Sequence, residues 1–257
     1  MSGMMSAARL LSTVVLGGSA ASPTTMSHIT RNLDSGITLS HDGHDGHDGE
    51  ALGTYFARCA ELEALSVYAF ERLARELRAL GAPEGYSERA EKAAMEEVRH
   101  ASTMANLAAR FGTTPPTLQM GALPLRPLFD VALENAVEGV VRETFSAAIA
   151  LHTSVHAEDP EVRAAHVAIA EEERAHAELT VELDAWFATR LDAAQRVRIE
   201  RAKADALEAL IDELDAVPPS SPRASNSLPP ATQALAILDG LFGALSSASS
   251  GRSLMTA

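Results

Sequence analysis

Cysteine is almost absent from this sequence: Cys59 is the only one among 257 residues. A single thiol excludes an intrachain disulfide, a Cys-x-x-Cys zinc ribbon and a four-cysteine iron centre. Aromatic residues are also scarce, at 4%, and no run approaches the roughly 20 apolar residues of a transmembrane helix. We therefore expect a protein with no membrane span and no disulfide framework.

Basic residues are outnumbered, with 21 Lys and Arg against 35 Asp and Glu, which gives a net charge of −14. This balance argues against a nucleic-acid partner, because phosphate binding needs a basic surface. Between residues 54 and 215 the chain is instead dominated by Ala, Leu, Glu and Arg, with few β-branched runs. That composition favours helices.

Breaks in the apolar periodicity predict an all-α fold with flexible tails. The predicted helices are 54–80, 87–111, 128–157, 160–189 and a fifth at 192–216, with a short tail helix at 231–247. The expected organisation is a flexible segment at 1–50, a helical bundle at 51–190, an additional helix at 191–217, and a Pro/Ser-rich linker with a tail at 218–257.

The N-terminal segment leaves localisation open between two alternatives. Arg9 and the following "LLSTVVLGGSAAS" resemble a weak signal peptide, but the apolar run is short and the basic region thin, so a cytoplasmic location is expected. The same segment ends in "HDGHDGHDGE", residues 41–50, which alternates imidazole and carboxylate. Its repeated glycines resist fixed geometry, so we interpret it as a flexible linker that binds metal weakly at most.

Two helices carry the same motif, Glu-x-x-His. Glu97 pairs with His100 and Glu173 with His176, a displacement of 76 residues. Residues three apart lie on one face of a helix, so each pair can converge on one ion. In both helices the pair sits within an apolar stripe, which predicts that it faces the core of a bundle. Glu96, Glu171 and Glu172 fall off the stripes and are predicted to be exposed.

The other two helices each place one glutamate on their apolar stripe, Glu63 and Glu138, displaced by 75 residues. If neighbouring helices are antiparallel, Glu63 lies level with Glu97, and Glu138 with Glu173. The reason is that the sequence midpoint of each pair falls at the predicted turn between the two helices. The Pro-rich segment 112–127 must then return along the bundle, roughly 37 Å at 1.5 Å per residue, which sixteen extended residues can span at about 50 Å.

Four inward carboxylates and two imidazoles at one height need compensation, because like charges in a low dielectric are strongly unfavourable. Two divalent cations would neutralise four carboxylates. Mixed oxygen and imidazole ligands suit iron or manganese. The predicted metal ligands are Glu63, Glu97, His100, Glu138, Glu173 and His176.

This pattern resembles the ferritin-like di-iron carboxylate superfamily, in particular bacterioferritin and rubrerythrin, over about residues 54–190. The resemblance implies a four-helix bundle with one long crossover that holds two iron ions. It also implies that Glu97 and Glu173 bridge the metals, that Glu63 and Glu138 are terminal ligands, and that each histidine binds one metal. The extra glutamate of rubrerythrin is replaced here by Val141. The rubredoxin domain is missing as well, so a peroxidase reaction would need an external electron donor.

Two functions are expected on these grounds. The first is a non-haem di-iron oxidoreductase, ferroxidase- or oxidase-like, that uses O2 or peroxide to oxidise iron or an unidentified small substrate. The alternative is iron storage or assembly of cargo, in which the long tails dock the bundle into a larger structure, and a homo-oligomer fits either function. Four further groups have weaker claims: Glu134 as a ligand or supporting group, His166 as a core histidine, and His152 with His156 as a surface pair.

Overall fold

The computed structural model describes residues 46–118, 123–215 and 232–242. Within these ranges the chain is helical and contains no strand, which confirms the predicted all-α class. The elements are α1 (Gly46–Ala79), α2 (Glu84–Arg110), α3 (Leu128–Glu134), a π-helical segment (Asn135–Glu143), α4 (Thr144–His156), α5 (Pro160–Ala188), α6 (Ala193–Asp215) and α7 (232–242). Residues 1–45 and the linker 218–230, with the predictions made for them, lie outside the described residues.

Most predicted helix ends agree with the structure because local signals set them. Asp159 caps α5, accepting hydrogen bonds from the backbone of Glu161 at 2.9 Å and Val162 at 3.3 Å, with Pro160 in the first turn. Asp192 likewise accepts a bond from Gln195 N at 2.8 Å before α6. The start of α1 was predicted too late, near residue 54 instead of Gly46.

Two apolar clusters show how the four long helices run. One contains Leu77 from the end of α1, Ala90 from the start of α2, Val131 from α3 and Phe187 from the end of α5. The other joins the opposite ends of the same helices, including Phe56, Leu107, Ala150 and Val162. Consecutive helices are therefore antiparallel, and α2 ends at the far end of the bundle from the start of α3. This arrangement requires the predicted long crossover between α2 and α3. Leu118, which belongs to that crossover, packs against the first cluster.

A third cluster covers the outer side of the bundle. Helices α6 and α7 contribute Leu210, Leu214, Ala234 and Leu238 to it, and they pack against the π segment and α4. Arg142 of the π segment adds a two-pronged ion pair to Glu213 of α6, with contacts of 2.7 and 3.0 Å. The C-terminal helices thus hold the π segment in place from outside.

The π segment is the one irregular part of the predicted helix 128–157, and the sequence periodicity gave no sign of it. It approaches α5 unusually closely: a Cβ added at Gly139 would lie 2.7 Å from both Cβ and Cγ2 of Thr180. Asn135 Nδ2 donates to the Thr180 carbonyl oxygen at 3.0 Å and fastens the segment there. None of the helices in the described ranges is both long enough and apolar enough to cross a membrane.

Candidate metal centre

The two Glu-x-x-His motifs lie in the middle of the bundle, between its two apolar clusters. Glu97, His100, Glu173 and His176 are each at most 2% exposed. They face one another because each motif replaces apolar residues on the inward stripe of its helix, as the sequence predicted. The imidazole rings of the two histidines lie 5.8 Å apart.

The side chains form two overlapping groups, each with ligand atoms within 4.8 Å of one another. The first group is Glu63, Glu97, His100 and Glu173, and the second is Glu97, Glu143, Glu173 and His176. Glu97 and Glu173 belong to both groups. His100 Nδ1 lies 3.1 Å from a Glu173 oxygen, and His176 Nδ1 lies 3.2 Å from a Glu97 oxygen. Each histidine therefore faces a glutamate of the other motif helix.

The structure brings together five of the six predicted ligands, all except Glu138. The carboxylate that comes from the third long helix, formed by α3, the π segment and α4, is instead Glu143. Glu143 is buried, and its Oε1 lies 3.5 Å from His176 Nδ1. Glu138 belongs to neither group; it is partly exposed and lies with Glu143 in the wall of an adjacent pocket. At the 3.6-residue period of an α-helix, Glu143 points about 140° away from Glu138. In a π-helix the hydrogen bonds join residues five apart, so the two side chains share a face.

Two carboxylates outside the predicted set support the histidines. Glu172 accepts a hydrogen bond from His100 Nε2 at 2.8 Å, and Glu96 lies 3.0 Å from His176 Nε2. Glu96 is buried and Glu172 half-buried, so the prediction that both are exposed was wrong; only Glu171 is exposed. A signal was present, since the motif in both helices is Glu-Glu-x-x-His. Each outer glutamate orients the histidine of the other helix and turns its Nδ1 towards the cluster.

The charges of the cluster shift its pKa values strongly. Burial, together with the neighbouring Glu143 and Glu97 carboxylates, raises the pKa of Glu173 to about 7. Glu63 is partly exposed as a residue, but its carboxyl group is surrounded by protein. Burial of this carboxyl, together with the charges of Glu97 and Glu173, raises its pKa well above the usual range. Burial alone would lower the pKa of His100, but the Glu173 and Glu97 carboxylates raise it to about 11.

Glu97 and His176 shift in opposite directions. Burial alone would raise the pKa of Glu97, yet the two imidazoles hold it well below its ordinary value. Burial alone would lower the pKa of His176, but Glu143, Glu96 and Glu97 raise it well above its ordinary value. Without metal, protons on the histidines and on part of the carboxylates therefore balance the buried charge.

The residues present fit a pair of metal ions. Both Glu97 oxygens and the Nδ1 atoms of His100 and His176 are buried without a standard hydrogen bond to any described residue. The Nε2 atoms, by contrast, are occupied by Glu172 and Glu96. Oxygen and imidazole donors that converge in this way can hold a divalent metal ion. Glu97 and Glu173 could bridge the two positions.

The groups with weaker claims lie outside the cluster. His166 is buried, and its Nδ1 lies 2.8 Å from the Val162 carbonyl oxygen, so it is a hydrogen-bonded core histidine. The rings of His152 and His156 lie 4.4 Å apart, tilted by 37°, near the end of α4. Glu134 pairs with Arg72 at 2.9 Å and with Arg126.

Comparisons of the chain with protein-family models, with characterised proteins and with solved structures found no match.

Proposed function

We propose that the chain is a di-iron oxidoreductase of the ferritin-like type, with manganese as the alternative metal. The observation that carries this proposal is the sharing of Glu97 and Glu173 between two ligand groups, each completed by its own histidine and its own glutamate. Glu63 and His100 would hold one ion, and Glu143 and His176 the other. A single-ion site or a structural ion pair would not need this doubled arrangement.

The protein contributes charge, orientation and shielding from water. Four carboxylates and two neutral imidazoles match two divalent ions, and iron held there would supply electrons for the reduction of O2 or peroxide. The outer carboxylates Glu96 and Glu172 hold the imidazoles with Nδ1 inward. Apolar clusters on both sides keep bulk water from the ends of the site. Iron or a small molecule would be the substrate and the source of electrons, whereas a peroxidase reaction would need an external electron donor.

The test is metal loading followed by exposure to oxygen. Metal-free protein titrated with Fe(II) under argon is expected to bind two ions per chain, measured by elemental analysis after desalting. Admission of air should then consume O2 and produce the visible absorption of Fe(III). Retention of many more ions per chain would instead indicate the storage function.

A double variant tests the bridging residues directly. Glu97→Ala with Glu173→Ala should abolish loading, because it removes the two carboxylates that belong to both ligand groups. It should leave a folded helical bundle by circular dichroism, because the apolar clusters on both sides are unchanged. The control changes His41, His44 and His47 to Ala and should still load two ions. Two ions in the double variant would overturn the proposal.

A further inference from the structure

A pocket beside the metal cluster opens between α1 and the third long helix. Its apolar walls include Ala69, Leu73 and Val131, and its carboxylates are Glu134, Glu138 and Glu143. Glu134 and Glu138 are partly exposed, whereas Glu143 is 3% exposed and belongs to the metal cluster. The pocket therefore runs from the surface to the cluster.

The three carboxylates stand in sequence along one helix face. Glu134 closes α3, Glu138 follows four residues later in the π segment, and Glu143 follows five residues after Glu138 in the same segment. Because π-helical hydrogen bonds join residues five apart, Glu138 and Glu143 remain on the same face. Oxygen ligands thus line the pocket from its mouth to its floor.

A neutral oxygen completes this row. Asn135 also lines the pocket and is 6% exposed. Its Nδ2 donates to the Thr180 carbonyl oxygen at 3.0 Å, which fixes the amide and leaves Oδ1 as the acceptor. That buried Oδ1 has no hydrogen-bond partner in the part of the chain that the structure describes. Asn135 Oδ1 and the Glu138 carboxylate are both ligands that hard divalent cations accept.

The charges around the pocket favour a cation over an anion. Arg126 at the mouth is bound by Glu76 at 2.8 Å and by Glu134, and Arg72 pairs with the same two glutamates. These two arginines and two glutamates cancel. Glu138 and Glu143 add two further carboxylates, so acidic side chains outnumber basic ones among the residues that line the pocket.

We propose that this pocket is the entry route for the divalent metal ion, and that Glu138 with Asn135 forms a transient binding site on the way to Glu143. The inference rests on the proposed function, because it needs a metal centre to deliver to. It gives Glu138 a role that differs from that of a permanent ligand: its carboxylate captures the ion and then releases it to the cluster.

The experiment follows Co(II) uptake by the metal-free full-length protein, using the visible absorption of bound Co(II) in a stopped-flow instrument. Equilibrium stoichiometry is measured separately by elemental analysis. Glu138→Gln should still bind two ions per chain but load them at least about ten-fold more slowly, since focusing by charge raises on-rates by that factor or more. Its rate should also depend less on ionic strength. Glu208→Gln, which removes one exposed carboxylate on α6, should load at the wild-type rate.

A second variant tests the entry route by narrowing the pocket. Ala69→Leu narrows the pocket without changing its charge and should slow loading while the final stoichiometry stays at two. A wild-type rate in both Glu138→Gln and Ala69→Leu would overturn the entry route. A fall to one ion in Glu138→Gln would make Glu138 a permanent ligand and overturn the transient site. Failure of the wild-type protein to bind Co(II) would instead contradict the proposed metal centre.

Discussion

At the scale of single residues, the histidines are held by carboxylates on the opposite motif helix. Glu172 of α5 supports His100 of α2, and Glu96 of α2 supports His176 of α5. Each outer glutamate also contacts a surface cation: Lys92 approaches Glu96, and Arg99 approaches Glu172, both at 2.5 Å. The support for each ring therefore extends from the buried cluster to the surface.

Replacing one outer carboxylate should weaken metal binding without removing a ligand. Glu172→Gln keeps a hydrogen-bond acceptor for His100 Nε2 but loses its charge, so we expect metal affinity to fall about ten-fold, the lower range for such outer partners. Competition with a chelator measures this change. Glu171→Gln is the matched control, because Glu171 is the exposed neighbour on the same helix and contacts only Arg174 among the ion pairs found in the described residues. An equal loss in both variants would show a general charge effect and contradict the orienting role.

At the scale of elements, the π segment determines which carboxylate of the third long helix enters the cluster. Gly139 permits the close approach of the π segment to α5, and Asn135 donates a hydrogen bond to α5. Arg142 forms an ion pair with Glu213 of α6. These contacts come from two helices, α5 and α6, and hold a backbone form that is rare in helices and occurs frequently at functional sites.

A methyl group at Gly139 should disturb this element. Its Cβ would lie 2.7 Å from two carbon atoms of Thr180, so one of the two helices must move. We expect Gly139→Ala to lower the free energy of unfolding by about 1–3 kcal/mol, as overpacking in a core does. It should also weaken binding of the second metal ion, because Glu143 would shift relative to α5. Chemical denaturation and metal titration measure the two effects.

Gly85→Ala is the control for this change. Gly85 lies in the first turn of α2, and an added Cβ would meet no atom within 4 Å. Since alanine is a better helix former than glycine, that variant should be as stable as the wild type or more so. If Gly139→Ala behaved in the same way, the tight contact with Thr180 would not restrict the π segment.

At the scale of the whole molecule, protonation of the cluster couples pH to stability. The pKa values of Glu63 and Glu173 are raised on folding, so these groups favour the folded state below the ordinary glutamate pKa and lose that contribution as pH rises towards 7. The pKa of His100 is raised to about 11, so its contribution is full below the ordinary histidine pKa and declines above it. The pKa of Glu97 is instead lowered on folding. Its carboxylate therefore stabilises the folded state above its ordinary pKa of 4.5, and that contribution is lost only as the pH falls below this value.

Metal-free protein should therefore become less stable as pH rises from 5 to 8. The expected slope is on the order of 1 kcal/mol per pH unit for each proton that the folded state retains and the unfolded chain releases. Metal binding displaces these protons, so the loaded protein should melt higher at pH 7, and the gain on loading should increase with pH. Thermal unfolding with chelator and with metal, across this pH range, measures both trends. Unchanged melting after chelation would contradict the metal centre.

The sequence alone determined the helices, their order and the buried motifs, because each depends on local or periodic signals. Asp159 with Pro160 marks a helix start in any context, and the 76-residue displacement between Glu97 and Glu173 follows from the repeated pattern itself. The tertiary structure decided what depends on contacts between distant segments. The choice between Glu138 and Glu143 follows from a π segment that is held by Thr180 and α6, and no period of 3.6 residues can reveal it. The burial of Glu96 was also decided by the tertiary structure, because it arises where α2 meets His176 of α5, a residue 80 positions away, and the repeated Glu-Glu-x-x-His motif is its only trace in the sequence.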